Sequence, residues 1–197
     1  MRSVVWAMVL LVAVAGGSWA QEAVPVAGAA NLAVNASFEE PGDEAKMQIA
    51  AGWEYWASKN MMAKLFAGAF RTGRVGIEFT AQGEKGVYMV VLQKHPVVPG
   101  RKYTLEAYVR NAAQAPLSGS AVGSLGIEWQ GPDEVEISRV SSERWKTDLS
   151  RLRWNAVQVT GTAPENAVAA KFVIFFTDGE TSGSGKCYVD DVTIVEK

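Results

Sequence analysis

The chain is poor in the residues that most often carry chemistry. Among its 197 residues there is one cysteine, Cys187, so no internal disulfide can form. Its position in an apolar terminal segment reads as a buried, inert thiol. The one histidine, His95, stands just before Pro96, which leaves no histidine pair for a metal. No G-x-S-x-G nucleophile segment is present, and no glycine-rich phosphate loop follows a strand pattern. Charge of one sign is missing as well. The 19 basic and 21 acidic residues leave a net −2, without the footprint of a nucleic-acid or anionic-membrane binder. Acid clusters occur at Glu39/Glu40, Asp43/Glu44, Asp133/Glu134/Glu136 and Asp190/Asp191, mostly at turns or edges where solvated charge is ordinary. Catalysis is not expected.

Long apolar runs are missing beyond the first residues. Arg2, the run from Val4 to Ala15, and the small residues of Ser18-Trp19-Ala20 have the form of an export signal over residues 1–20. The run is too short to span a bilayer comfortably. The chain is expected to be secreted or periplasmic, beginning near Gln21. Residues 21–30 (QEAVPVAGAA) read as a short tether, and residues 31–197 are of single-domain length.

What is present is alternation. Segments with a period of two run over Asn31–Phe38, Trp53–Trp56, Arg74–Thr80, Gly86–Gln93, Lys102–Arg110, Ala121–Trp129, Val135–Val140, Trp154–Thr160, Ala167–Thr177 and Gly185–Val195. Turn residues separate them, including Pro41-Gly42, Pro99-Gly100 and Gly131-Pro132. No helical crossovers intervene, so the expected fold is all-β, a β-sandwich rather than a parallel sheet. Ser58–Ala69 and Ser141–Leu152 contain helix formers, but each is short enough to be a single turn or an ordered loop.

Three strands say more. In Lys102–Arg110, Tyr103, Leu105, Ala107 and Val109 form an apolar face opposite Thr104, Glu106, Tyr108 and Arg110. Ala167–Thr177 is apolar on both faces, which marks a central strand whose second face is covered or lines a groove. In the last strand, strict alternation puts Asp190 on one face with Tyr188, Val192 and Ile194. An inward carboxylate needs partners: backbone N–H groups capping it, or a calcium ion.

Four segments are similar to a known family in order along the chain. Asn31 to Glu39 (NLAVNASFE) followed by Gly52-Trp53 resembles the opening of family 4/9/22-type carbohydrate-binding modules. Gln93 to Arg110, with its Pro99-Gly100 and Tyr103-Thr-Leu, is similar to their middle segment. Trp154 to Thr160, then Ala163-Pro164, and Tyr188 to Ile194 (YVDDVTI) resemble later ones. The resemblance implies a galactose-binding-like β-sandwich jelly roll that binds a polysaccharide or glycan such as a β-glucan or xylan. It also implies a structural calcium tying the N-terminal strand to the last one, at Ser37, Glu39 and Asp190. Many exported proteins carry such a sandwich without a demonstrated ligand, so a structural or adhesive domain making protein contacts is the alternative.

A sugar site needs rings for the C–H faces of the sugar and polar groups for its hydroxyls. Of seven tryptophans, Trp6 and Trp19 fall in the leader. Trp53 and Trp154 match positions that are usually core, and the alternation of Trp129 with Leu125 and Ile127 favours core as well. Trp56, three residues past Trp53, turns to the opposite face. Trp145 lies in a charged loop, either docked back or exposed for a partner. Tyr108 stands between Glu106 and Arg110 on a non-core face, which Tyr88 and Glu128 are expected to share. The expected glycan-binding set is therefore Trp56, Tyr88, Glu106, Tyr108, Arg110 and Trp145.

Overall fold

The computed structural model describes residues 30–197; the expected leader and all but the last residue of the expected tether lie outside them. Eleven strands are described: β1 (Gln48–Ala50), β2 (Trp53–Ala57), β3 (Ala63–Phe66), β4 (Gly76–Thr80), β5 (Tyr88–Pro96), β6 (Lys102–Asn111), β7 (Val122–Gln130), β8 (Glu136–Ser141), β9 (Asn155–Thr162), β10 (Ala169–Thr177) and β11 (Lys186–Glu196). They form two antiparallel sheets. The first has the order β1-β2-β5-β10-β7-β8 and the second β3-β4-β11-β6-β9. The expected β-sandwich is the observed fold.

Alternation explains the packing. Met89 and Val91 on β5, Leu125, Ile127 and Trp129 on β7, and Phe172, Ile174 and Phe176 on β10 point inward from the first sheet. Ile77, Phe79, Leu105, Ala107, Val109, Val189 and Ile194 meet them from the second. Trp53 and Trp129 are buried in this core. β10 is central, paired along its full length with both β5 and β7, as its two apolar faces require.

Three local readings differ from the structure. Asn31–Phe38 is not a strand; Asn35 and Phe38 have positive φ angles of 48° and 60°. The Asn31 side chain substitutes for strand pairing, donating to the Val192 carbonyl and accepting from the Ile194 N–H. In Ser58–Ala69 tertiary pairing overrides helix propensity. Ala63–Phe66 pairs with β4 in register, placing Ala63 opposite Phe79 and Leu65 opposite Ile77.

The third correction concerns the last strand. β11 pairs regularly with β6 up to Asp190, then shifts register before Thr193. Asp191 sits in the shift with φ 49°. This β-bulge switches the phase of alternation. Tyr188 and Asp190 therefore face outward from the second sheet, while Val192 and Ile194 face the core. Asp190 is nonetheless fully buried, because the β3–β4 loop folds over it.

Candidate functional site

Period two also determines what the outer face of the first sheet carries. Cross-strand register places Trp56 beside Val90, Val90 beside Phe175 and Phe175 beside Ser124. One step along the strands come Glu54, Leu92, Val173 and Gly126. A further step brings Lys94, Lys171, Glu128 and Arg139 together. The face is thus graded, with rings at one end, aliphatic side chains in the middle and charges at the other. Four residues separate Phe175 from Lys171, about 13 Å along an extended strand.

The rings form a continuous ladder. Trp56 and Tyr88 lie 5.1 Å apart at 48°, and Tyr88 and Phe175 lie 5.9 Å apart at 35°. Trp56 is 47% exposed, so the ladder ends in an open indole. The Tyr88 N–H donates to Ser58 Oγ at 2.9 Å, which fixes its strand end. Val90, Leu92 and Phe175 are half-buried beside the rings. Such a platform suits the C–H face of a pyranose, with hydrophobic contact and no charge required.

The charged end is largely self-compensated. Arg139 binds both oxygens of Glu136 at 2.6 Å and reaches Glu128 at 3.4 Å. Lys94 pairs with Glu134 at 2.7 Å. Burial raises the Glu128 carboxyl above the ordinary range, and Arg139 opposes that shift. The row therefore offers donors and acceptors side by side.

The expected sugar residues divide between the two sheets. Trp56 and Tyr88 stand together on the first. Glu106, Tyr108 and Arg110 lie on the outer face of the second sheet, so Tyr88 and Glu128 do not share a face with Tyr108. The Arg71 guanidinium covers the Tyr108 ring at 3.7 Å from its centroid. Arg110 lies over Trp154 at 4.8 Å and near Tyr188 at 5.5 Å, so Trp154 packs outside the sandwich rather than in its core. Trp145 is docked, not open. It is 4% exposed, bridges Gly123 through two backbone bonds of 3.0 Å, and fills the space where a Cβ on that glycine would lie 2.3 Å from the indole. Cys187 is buried and its thiol is pushed up to about 12 by that burial. Phe175, Leu92 and Lys171 also stand on the first-sheet face, outside the expected set; for Phe175 the two-sided apolar pattern of Ala167–Thr177 was the available signal.

His95 is a packing residue. Its ring meets Phe172 edge-on at 5.8 Å, and Nε2 lies 3.0 Å from Gln93 Oε1. Burial lowers its pKa. Gln93 in turn holds Val34 through both backbone groups.

Of the expected metal residues, Glu39 and Asp190 converge on the β3–β4 loop, whereas the Ser37 side chain makes no hydrogen bond to it. Asp190 Oδ2 accepts from the N–H groups of Arg71 and Thr72 at 2.6 and 3.1 Å. Glu39 Oε1 accepts from those of Arg74 and Val75 at 2.8 and 3.1 Å, which lowers the Glu39 pKa. The two acids clamp neighbouring halves of one loop. Asp191 adds bonds to the Arg71 and Thr72 side chains. Asp190 Oδ1 is buried without a hydrogen-bond partner, and burial raises this carboxyl to about 6. Among the described residues no three His, Cys, Asp or Glu side chains are grouped to hold a metal. An ion here would therefore rely on Asp190 Oδ1 and Glu39, with backbone carbonyls completing its shell, a donor set of the hard oxygens calcium takes.

No family model matches the chain, and no curated protein matches its sequence. Solved structures do match its fold. The enzymatically active domain of tailspike protein 4 from bacteriophage CBA120 aligns with a TM-score of 0.60 at 12% identity, over 85% of this chain and 21% of that one. The chain thus spans about a fifth of that protein's length. The module TmCBM61, solved with β-1,4-galactotriose, aligns at 0.57 and 13% identity over 85% of this chain and 99% of that one. A family 16 carbohydrate-binding module aligns at 0.54 and 21% identity over 84% and 99%. The chain has the jelly-roll β-sandwich of the carbohydrate-binding modules.

Proposed function

We propose that this chain is an exported, non-catalytic glycan-binding protein whose site is the outer face of its first sheet. Trp56 and Tyr88 stack on sugar rings, Phe175 extends the platform, and Glu54, Lys94, Lys171 and Glu128 meet hydroxyls. The observation that carries this reading is the half-exposed Trp56 indole at the end of a three-ring ladder. A large ring held open on an ordered sheet is a binding feature more than a packing one. The shared fold with modules such as TmCBM61 supports it.

The chemistry needed is recognition alone. The sole histidine is committed to packing, and the Glu128 carboxylate is tied to Arg139. Calcium is proposed as a structural ion at Glu39 and Asp190, supported by the unpartnered Asp190 Oδ1. It would hold the N-terminal segment and the β3–β4 loop onto β11 and would not touch the glycan.

Affinity electrophoresis of residues 21–197 through gels holding β-glucan, xylan, mannan or galactan tests the proposal. Retardation by one of them, with and without chelator, supports it. A folded sample that none retards points instead to a structural or adhesive sandwich.

A further inference from the structure

The balanced net charge conceals a basic corner. The β8–β9 connection ends in Ser150-Arg-Leu-Arg-Trp154, and residues 149–157 contain no acid. Leu152 is 87% exposed, more than any other large apolar side chain among the described residues. Its position is held rather than loose. Ser150 Oγ accepts from the N–H groups of Leu152 and Arg153 at 3.2 and 3.0 Å. The buried Asn111 donates to the Leu149 and Ser150 carbonyls at 2.8 and 2.9 Å, and Asn155 Nδ2 donates to the Arg153 carbonyl at 3.0 Å. The sequence thus presents an aliphatic tip between two arginines on a turn pinned to β6.

Those arginines, together with Arg110 behind them, form no ion pair among the described residues, whereas Arg71, Arg74, Arg101 and Arg139 each have a carboxylate. The Arg110 guanidinium is stacked on Trp154, and its Nε is buried without an acceptor. Among the described residues, these three cations have no carboxylate partner and the leucine beside them protrudes into solvent.

We propose that the Ser150–Trp154 turn docks this protein peripherally on an anionic phospholipid surface. Leu152 enters the acyl boundary while Arg151, Arg153 and Arg110 meet headgroup phosphates. The aliphatic tip decides between this and an acidic polysaccharide, because leucine offers a sugar neither a flat ring nor a hydrogen bond, whereas its burial in lipid is favourable. The corner lies at the β9 edge of the second sheet, so docking leaves the Trp56 face free. No span is involved: no helix of the described residues is long and apolar enough to cross a membrane.

Cosedimentation of residues 21–197 with vesicles of equimolar phosphatidylglycerol and phosphatidylcholine tests this, with pure phosphatidylcholine vesicles as the contrast. The expected result is binding to the anionic vesicles only, falling steeply with salt. Leu152→Ser weakens it about tenfold, and Arg151→Ala and Arg153→Ala weaken it about fivefold each. Trp56→Ala leaves it unchanged, which separates it from glycan binding. The high exposure of Leu152 means that its substitution leaves the melting temperature in place. Absence of vesicle binding, or binding indifferent to Leu152→Ser, overturns the proposal. Retardation by a soluble polyuronate without vesicle binding overturns it in favour of an acidic polymer.

Discussion

The buried carboxyl of Asp190 makes an unusual prediction about acid. Its folded pKa, raised by burial from 3.8 to about 6, exceeds its unfolded value. The folded state therefore holds this proton to higher pH than the unfolded chain does. The contribution is fully present below pH 3.8 and is lost as pH rises through about 6. Between about pH 5 and 7.5 linkage gives a loss of about 1.4 kcal/mol from this one group. For a domain of this size that is roughly 3–5 °C in melting temperature.

The assay is thermal unfolding of the native chain and Asp190→Asn at both pH values, in chelator. Other titrating groups, His95 among them, are common to both proteins and cancel in the difference. The native chain should lose about 1.4 kcal/mol relative to the variant over this interval. Calcium reverses the sign, because an ion on Oδ1 favours the charged carboxylate; the native protein should then melt higher at pH 7.5 and drop on chelation. Equal pH slopes for the two proteins in chelator would refute the description of Asp190 as a buried, half-satisfied acid. A melting temperature indifferent to calcium would remove the ion from the account.

Two other predictions follow from packing. Gly123→Val places a side chain on the Trp145 indole, which a Cβ alone approaches to 2.3 Å; overpacking there should cost about 1–3 kcal/mol by denaturant unfolding. Cys187, buried with its thiol at about 12, should resist alkylation at pH 8 until denaturant is added, and rapid labelling of the native protein would contradict its placement.

The fold was largely legible because it rests on alternation, and alternation survives in the sequence wherever a strand has one wet face. Lys102–Arg110 shows this, with Tyr103, Leu105, Ala107 and Val109 all buried in the structure. Reading failed where one residue breaks the period. The Asp191 bulge reverses the facing of everything after it, so Asp190 was assigned to the wrong side although its burial was anticipated. β3 was hidden because four residues with helix formers on either side become a strand only through β4. The candidate site was half legible: the spacing of Trp53 and Trp56 put Trp56 on the outer face, but which sheet each candidate belongs to is a matter of topology. Tyr88 and Tyr108 look alike in sequence and stand on opposite sheets.

That opposition supplies the most direct test of the central claim. In gels of whichever polysaccharide retards the native chain, Trp56→Ala and Tyr108→Ala should be run side by side, each checked for an unchanged fold. Trp56 is surface-exposed, so its loss should change stability little while weakening retardation roughly tenfold or more. Tyr108→Ala, on the second sheet beneath Arg71, should be retarded like the native protein. Loss of binding in Tyr108→Ala with full binding in Trp56→Ala would contradict the account and move the site to the other sheet.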